Sequence, residues 1–252
     1  MIKIALDPGH GLYTQGKQTP DGIKEWTLND AVRDKVVKYL EPYDVLIIHT
    51  DYEEGITDET LASRVAFYKS QGVAAVVSIH HNALKGSWCN ATGIEVYVDK
   101  NPTEADMGLA QAIYSRMTEY MPLSPRGIKQ ANFAVINQNS IPAVLCEGGF
   151  MDGINDYKYI TSEEGQSAYA KAIAEGLIEF LNLKKKEDVK DMGTESKFID
   201  IKGHFAENDI KDLFKMGIVN GVSSTEFAPN KTATRGEIAV IARNIIRYIT
   251  GK

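Results

Sequence analysis

The sequence predicts an α/β fold: a mostly parallel, twisted sheet flanked by helices, with a small helical module at the C-terminus. The first observation is that short apolar runs alternate with amphipathic helical patterns through residues 1–182. The second is that residues 183–197 are too charged and too poor in apolar side chains to pack. The third is a pair of helical patterns within residues 198–252. We therefore expect a main domain, a charged linker and a small module with these boundaries.

Five apolar runs in the main domain have the length of buried strands. They are Ile2–Leu6, Val45–His49, Val73–Ile79, Ile94–Val98 and Ala143–Cys146. Between them, apolar residues recur at helical spacing and predict four helices that cover the sheet. These helices lie at about 27–40, 58–70, 104–120 and 166–181. In the last segment, a turn-rich stretch at 221–224 separates helical patterns around 208–216 and 235–248.

The composition limits the class of protein. With 43% hydrophobic and 25% charged residues among 252, the chain has the composition of a soluble globular protein. No apolar run reaches the ~20 residues of a membrane span, so we expect no membrane association. The N-terminus also lacks the apolar stretch of about 7–15 residues that an export signal requires. Only Cys89 and Cys146 are present, and we expect no disulfide framework.

Charge is distributed unevenly along the chain. Up to Leu183 there are 15 basic and 24 acidic residues, whereas from Lys184 onward there are 13 basic and 10 acidic residues. We therefore expect that the acidic main domain does not bind nucleic acid and that the slightly basic tail meets an anionic partner.

Histidines and carboxylates recur where predicted strands and helices begin or end. The first strand leads into Asp7-Pro8-Gly9-His10, and the third leads into His80 and His81. Glu25 lies in the loop immediately before the first helix, and Glu147 follows the last apolar run. In open α/β folds, ligands bind at the carboxyl edge of the sheet. Two imidazoles and a carboxylate give three zinc ligands and leave a position for water, and a second carboxylate can move protons.

Other interpretations of these residues stay open on spacing alone. A single histidine at a strand end is more often a hydrogen-bonding core or surface residue than a metal ligand. Cys146, beside Glu147, allows a cysteine peptidase with a histidine partner, although its place inside an apolar run favours a buried, inert thiol. His49 and His204 have no partner pattern, and we interpret them as ordinary residues.

Four sequence blocks resemble the zinc N-acetylmuramoyl-L-alanine amidases of the amidase_3 family, which include bacterial autolysins and phage endolysins. The blocks are Leu6–His10, Glu25, Ser78–Ala83 and Val144–Asp152. They occur in family order, and the resemblance covers residues 1 to about 181. It implies that the chain cleaves the amide bond between N-acetylmuramic acid and L-alanine in bacterial peptidoglycan, as a phage endolysin or an autolysin.

The resemblance assigns roles to four residues by position. It implies that His10, Glu25 and His80 bind Zn²⁺ and that Glu147 is the general base and acid. The implied reaction is attack of a zinc-activated water on the amide carbonyl, without a covalent intermediate. A catalytically inactive wall-binding protein that keeps the fold is the alternative.

Three further positions match the family pattern with less defined roles. Arg126 and Asn82 are candidate substrate contacts, and Arg126 is alternatively a structural ion-pair partner; Arg64 also matches a family position. Most members have a small residue where this chain has His81. Because neighbours on a strand face opposite sides, we expect His80 to reach the metal and His81 to lie behind it or at the surface.

The segment at about 198–248 resembles one surface-layer homology repeat. The resemblance rests on Phe198–Ile201, Phe205–Glu207, Gly217–Gly221, Phe227–Asn230 and Thr234–Glu237. It implies binding of an anionic secondary cell-wall polymer, with Asp200 and Arg235 as candidate contacts, and an arginine fork suits a carboxylate. Because a single repeat cannot easily bury its apolar face, we expect either a homo-oligomer formed through this module or docking of the module on the main domain, and a purely structural role is the alternative.

The absence of a visible export signal bears on where the protein acts. We expect it to be made in the bacterial cytoplasm and to reach the cell wall after release. The sequence does not distinguish a phage origin from a bacterial one.

Overall fold

A computed structural model of the protein describes residues 2–14, 17–50, 59–137, 140–186 and 198–250. The chain divides into two compact units, residues 1–186 and 187–252.

The first unit is built on one six-stranded sheet, in which the strands follow the order β2-β1-β3-β6-β4-β5. The strands are β1 Ile2–Pro8, β2 Val45–His49, β3 Ala75–Asn82, β4 Ile94–Asp99, β5 Pro125–Ala131 and β6 Ala143–Phe150. All neighbouring pairs are parallel except β4 and β6, which are antiparallel. The prediction of a mostly parallel sheet flanked by helices is therefore confirmed.

Helices cover both faces of this sheet. They are α1 Glu25–Leu40, α2 Leu61–Gln71, α3 Glu104–Tyr120, α4 Ile154–Ile160 and α5 Glu163–Leu181. On one face, α1, α3 and α5 contribute Val32, Leu109 and Ile173 to the core under the central strands. On the other face, Tyr68 of α2 packs against Val76. These apolar contacts hold the central strands rigidly, which fixes the ends from which functional side chains project.

Two elements differ from the sequence prediction because their local signals are weak. β5 contains proline, arginine, glycine, lysine and glutamine, so it has no apolar run, and it forms an edge of the sheet, where charged residues are common. α4 has only seven residues, which is too short to show a clear helical period.

Several boundaries also shift. β3 extends to Asn82 and β6 extends to Phe150, so that His80 and Glu147 lie inside strands rather than after them. Glu25 is the first residue of α1, and the prediction of a loop position for it was wrong. A carboxylate in the first helical turn is favoured by the helix dipole, which explains why the helix begins there.

The first residues of the predicted linker belong to the first unit. Leu183 is buried in the core, the amide of Asp44 donates to the carbonyl of Lys184 at 2.9 Å, and the amide of Lys186 donates to the carbonyl of Pro42 at 2.8 Å. Backbone pairing therefore overrides the high charge of this short stretch. The rest of the predicted linker, 187–197, lies outside the described residues.

The second unit contains α6 Glu207–Lys215 and α7 Arg235–Thr250. Its small core consists of Phe198, Ile201 and Ile210, with Phe214 and Phe227 packed against them. The start of α7 is fixed by a reciprocal cap, in which the amide of Thr234 donates to Glu237 and the amide of Glu237 donates to Thr234. Among the described helices of both units, none combines the length and the apolar character that crossing a membrane requires.

Candidate metal and active site

Three side chains from separate elements converge at the carboxyl edge of the sheet. His10 follows β1, Glu25 begins α1, and His80 lies near the end of β3. His10 Nε2 is 3.2 Å from one carboxylate oxygen of Glu25, and His80 Nδ1 is 3.0 Å from the other. One nitrogen or oxygen atom from each residue can be chosen so that all three lie within 4.8 Å of one another. This is the donor set that the sequence suggested for zinc.

The backbone after β1 is shaped to deliver His10. The amide of Gly9 donates to the carbonyl of Ile79 at 2.9 Å, which ties the turn to β3. His10 has a φ of 67°, in the left-handed region that non-glycine residues rarely adopt. A β-carbon on Gly9 would lie 2.0 Å from Cε1 of His80, so only glycine leaves room for that imidazole. Such local strain is common at functional sites.

Arg64 of α2 fixes the same turn from the other side. Its guanidinium donates to the carbonyl oxygens of Pro8 and His10 at 3.1 and 2.5 Å. It also pairs with Asp7 at 2.8 Å, and both side chains are only 2% exposed. Arg64 thus has a structural role in this unit, because it holds the segment that presents His10.

Glu25 is ionised at the centre of the group. Burial alone would raise its pKa, but hydrogen bonds and charge interactions with His10 and His80 hold the pKa far below the usual range. The backbone amide of His81 also donates to Glu25, at 3.3 Å. The site therefore combines an anionic oxygen ligand with two imidazoles.

His81 lies behind the group rather than in it. Its Nδ1 is 2.8 Å from Oδ1 of Asn29 on α1, and its ring packs edge-on against Tyr169. Burial lowers the pKa of His81 to about 4, so its ring is neutral at pH 7. The alternation of side chains along β3 thus places His80 at the site and His81 in the core.

Glu147 stands beside His80 on the neighbouring strand. The two residues are direct register partners in the parallel pair β3–β6. Oε2 of Glu147 is buried and has no hydrogen-bond partner within the described ranges. Burial raises the pKa of Glu147 well above that of an ordinary glutamate, and the charges of Glu25 and Glu95 act in the same direction. A carboxyl group in this state is suited to exchange protons near neutral pH.

A cleft of about 730 Å³ lies beside the site. His10, His80 and Glu147 line it together with Arg64, Phe133 and Lys17. A cleft of this size is in the range of ligand-binding pockets.

Comparison with known proteins agrees with this geometry. The family model for N-acetylmuramoyl-L-alanine amidase matches residues 4–179, and the S-layer homology domain model matches residues 197–239. The chain is 30% identical over 190 residues to a sporulation-specific N-acetylmuramoyl-L-alanine amidase of Bacillus subtilis, covering 73% of this chain and 70% of that protein. The chain belongs to the N-acetylmuramoyl-L-alanine amidase family. As a member of this family it is a peptidoglycan amidase.

Two further comparisons extend this result. An endolysin of Bacillus phage SPP1 is 30% identical over 189 residues, covering 73% of this chain and 67% of the endolysin. The solved catalytic domain of CwlV, an amidase from Bacillus (Paenibacillus) polymyxa var. colistinus, superposes with a TM-score of 0.67 at 28% identity, covering 73% of this chain and all of that domain. The amidase fold therefore accounts for the first unit of the chain.

The two predicted substrate contacts of the amidase meet at a residue that the sequence analysis missed. Nδ2 of Asn82 donates to Glu95 at 2.6 Å, and Nε of Arg126 donates to the same carboxylate at 2.8 Å. Glu95 is 1% exposed although it is charged. The available signal was an acidic residue inside the apolar run 94–98, because buried acids are rare unless they are paired.

The remaining predicted positions are not members of the three-residue group. Cys146 is fully buried within β6, and burial strongly raises the pKa of its thiol, which argues against a cysteine nucleophile. His49 contacts Arg33, and His204 contacts Asn230.

In the second unit, Asp200 accepts hydrogen bonds from the backbone amides of Phe227 and Ala228, at 2.9 and 2.7 Å, and so fixes a turn. Arg235 is exposed at the start of α7. Their contacts with a wall polymer stay predictions.

Proposed function

We propose that this amidase cleaves the bond between N-acetylmuramic acid and L-alanine as a zinc enzyme, with His10, Glu25 and His80 as metal ligands and Glu147 as the proton-transfer group. The observation that carries the proposal is the convergence of three donor atoms within 4.8 Å beside Glu147, whose buried Oε2 lacks a hydrogen-bond partner within the described ranges.

The donor set fits zinc by its chemistry. Two imidazole nitrogens and one carboxylate oxygen are typical of catalytic zinc, which keeps a further position for water or substrate. The alternative is an ion pair between Glu25, which is 2% exposed, and a protonated histidine, and such a pair requires a positive charge on an imidazole beside a buried carboxylate. A divalent cation would be held by one donor atom each of His10, Glu25 and His80, and the negative charge of Glu25 would then be compensated.

The chain contributes binding, orientation and proton transfer. When bound, zinc supplies Lewis acidity toward the amide carbonyl and the attacking water. Glu147 takes a proton from the attacking water and passes it to the amine of L-alanine as the bond breaks. Its raised pKa suits it to both steps. Asn29 and Tyr169 hold His81, whose backbone amide in turn holds Glu25.

Elemental analysis and product analysis together test the proposal. We expect about one zinc per chain, and loss of activity on chelation that added zinc restores. The products from purified peptidoglycan should carry new free L-alanine amines without new reducing sugar ends. Glu25→Ala should lose zinc, whereas the matched control His49→Ala, which changes an exposed imidazole, should keep it. A fully active metal-free enzyme, or reducing ends as the product, would overturn the proposal.

We further propose that the second unit anchors the amidase to the cell wall. The match to an S-layer homology domain at residues 197–239 supports binding of wall polymers. The exposed guanidinium of Arg235 is suited to an anionic polymer, since its fork matches a carboxylate. Asp200 would act by shaping the turn at Phe227 and Ala228. Assembly of several chains through this unit would supply additional repeats.

A further inference from the structure

A buried carboxylate on β4 gathers four side chains close to the reaction centre. Glu95 accepts hydrogen bonds from Asn82 at 2.6 Å, from the hydroxyl of Tyr97 at 2.9 Å, from Nε of Arg126 at 2.8 Å, and from the ammonium of Lys129. These interactions lower the pKa of Glu95 although burial opposes them, so the group is ionised. One cation would be enough to compensate the charge of Glu95. The presence of both Arg126 and Lys129 therefore calls for a further explanation.

This cluster lies on the same face and at the same edge of the sheet as Glu147. Glu95 and Glu147 are direct partners in the antiparallel pair β4–β6, and directly opposite residues project from the same face. Tyr97, which donates to Glu95, packs edge-on against Phe133 with ring centroids 5.2 Å apart. Phe133 lines the cleft that contains His10, His80 and Glu147.

The cluster carries an excess of positive charge. In the described ranges, Glu95 is the one carboxylate within ion-pair distance of Arg126 and Lys129, which leaves a net charge of one positive unit. The two cationic side chains are 40% and 35% exposed, while Glu95 is 1% exposed. The guanidinium has five N–H donors and the ammonium has three, so donors remain beyond those that Glu95 engages. Arg126 is held further by the ring of Phe150, 4.9 Å below its central carbon.

We propose that Arg126 and Lys129 form a subsite for a carboxylate of the stem peptide, on the leaving-amine side of the scissile bond, with Glu95 as its positioning residue. The inference rests on the proposed function for the identity of the substrate. In this subsite, the guanidinium of Arg126 and the ammonium of Lys129 are both held in place by the buried carboxylate of Glu95. This pre-organisation reduces the entropy lost when an anion binds. The residue that follows L-alanine in the stem, D-glutamate, offers such a group as its α-carboxylate.

Binding of two small probes tests the subsite without catalysis. Titration calorimetry would compare the γ-methylamides of L-alanyl-D-glutamate and L-alanyl-D-isoglutamine, so that the α-carboxylate, which is an amide in the second probe, is the only carboxylate and the only difference. The wild-type amidase should bind the carboxylate probe about tenfold more tightly, as expected for one charge-assisted contact. Arg126→Gln and Lys129→Gln should each reduce this ratio, and the double variant should bring it close to one. Equal binding of the two probes by the wild type, or an unchanged ratio in the double variant, would overturn the proposal.

Matched controls separate the local charge from general charge effects. Arg116 and Lys171 have similar exposure, 34% and 41%, but pair with acidic residues on α3 and α5. Arg116→Gln and Lys171→Gln should leave the probe ratio as in the wild type. A loss of the ratio in these variants would attribute it to net charge and would contradict a subsite.

The role of Glu95 is tested by kinetics on muropeptides that differ in the same carboxylate. Glu95→Gln should raise the ratio of KM for the carboxylate substrate to KM for the carboxamide substrate about tenfold, while any effect of the lost charge on Glu147 should change kcat for both substrates alike. An equal effect on both substrates would assign Glu95 a structural role only. If Glu95→Gln does not fold, the exposed Arg126→Gln and Lys129→Gln variants carry the test. If neither muropeptide is cleaved by the wild type, the proposed function fails, whereas the probe ratio still decides the subsite.

Discussion

Two glutamates on neighbouring strands show how environment assigns roles to identical side chains. Glu147 and Glu95 are register partners, yet Glu147 has a buried oxygen without a partner in the described ranges, while Glu95 accepts from four side chains. Burial therefore raises the pKa of Glu147, and the bound donors lower the pKa of Glu95. This contrast in pKa supports the proposed roles of Glu147 in proton transfer and of Glu95 in positioning.

The assignment of Glu147 predicts a contrast with its neighbour Cys146. Glu147→Gln should lower kcat by about 10²–10⁴, because the variant cannot exchange protons with the attacking water and the leaving amine. Cys146→Ser should retain most activity, since the thiol is buried and protonated. Zinc content should stay near one per chain in both variants, which separates lost proton transfer from lost metal. Full activity in Glu147→Gln with loss in Cys146→Ser would reverse the assignment.

Close packing at Gly9 predicts a second effect on the metal site. In Gly9→Ala, the new β-carbon would meet the imidazole of His80 at 2.0 Å, so the ring must move away from its position beside Glu25. We expect zinc affinity to fall by about tenfold or more, measured by competition with a chelator. Gly236→Ala, where the nearest atom is 3.9 Å away, serves as the control. Unchanged affinity in Gly9→Ala would mean that His80 does not need its present position.

At the scale of elements, the site depends on how β1, β3 and α2 are joined. Asp7 of β1 accepts hydrogen bonds from Arg64 of α2 at 2.8 Å and from Ser78 of β3 at 2.7 Å. Arg64 reaches onward to the carbonyl of His10. One buried ion pair thus links three elements to the turn that carries a proposed metal ligand. Removing either partner would leave a buried charge uncompensated, which is strongly destabilising.

This linkage predicts a pH-dependent contribution to stability. Burial raises the pKa of Asp7. The charge of Arg64 and the hydrogen bonds from Arg64, Thr50 and Ser78 together outweigh burial, so the folded-state pKa lies below 3.8. The contribution is therefore present above pH ~4 and is lost as the pH falls through the folded-state value, because the unfolded chain binds the proton first. Asp7→Asn should lower the free energy of unfolding by about 3 kcal/mol at pH 7 and flatten its acid dependence.

Denaturant unfolding as a function of pH would measure this effect. Asp34→Asn is a suitable control, because Asp34 is 61% exposed in its pair with Arg33 and such pairs contribute little. Parallel pH profiles for the wild type and Asp7→Asn would show that Asp7 does not provide the linkage.

At the scale of the whole molecule, the chain combines an amidase unit with a small second unit. The first unit has an extensive core on both sheet faces, whereas the core of the second consists of a few residues around Phe198. Apolar side chains of α7 such as Ile238, Val240 and Ile245 are 56%, 55% and 39% exposed. A single repeat that leaves so much apolar surface exposed is suited to associate with further copies.

Truncation after Lys186 tests the division of labour between the units. Because residues 183–186 pair with the segment around Pro42, the cut belongs after them rather than before them. The truncated chain should keep its kcat on soluble peptidoglycan fragments but bind less to whole cell walls, measured by co-sedimentation. The Arg235→Gln full-length chain should show a smaller loss of wall binding. Unchanged sedimentation of the truncated chain would remove the anchoring role.

Most of the fold was predictable because its signals are local. The apolar runs of β1, β3 and β6 and the helical spacing of α1, α3 and α5 appear directly in the sequence. β5 was not predictable, since a polar edge strand gains its structure from pairing with β4 rather than from its own composition. The antiparallel β4–β6 pair also depends on sheet order, which no local pattern encodes.

The sequence by itself singled out His10, Glu25, His80 and Glu147, because they stand next to the strong signals of buried strands and an amphipathic helix, and the family resemblance implied their roles. Only the tertiary structure decided their distances, the partners that hold His81 in the core, and the hydrogen bonds that converge on Glu95. The physical reason is that these properties depend on burial and on contacts between residues 13 to 56 positions apart, such as Asn82 with Glu95 and His81 with Glu25. Such contacts form only when packing fixes the order and register of the strands.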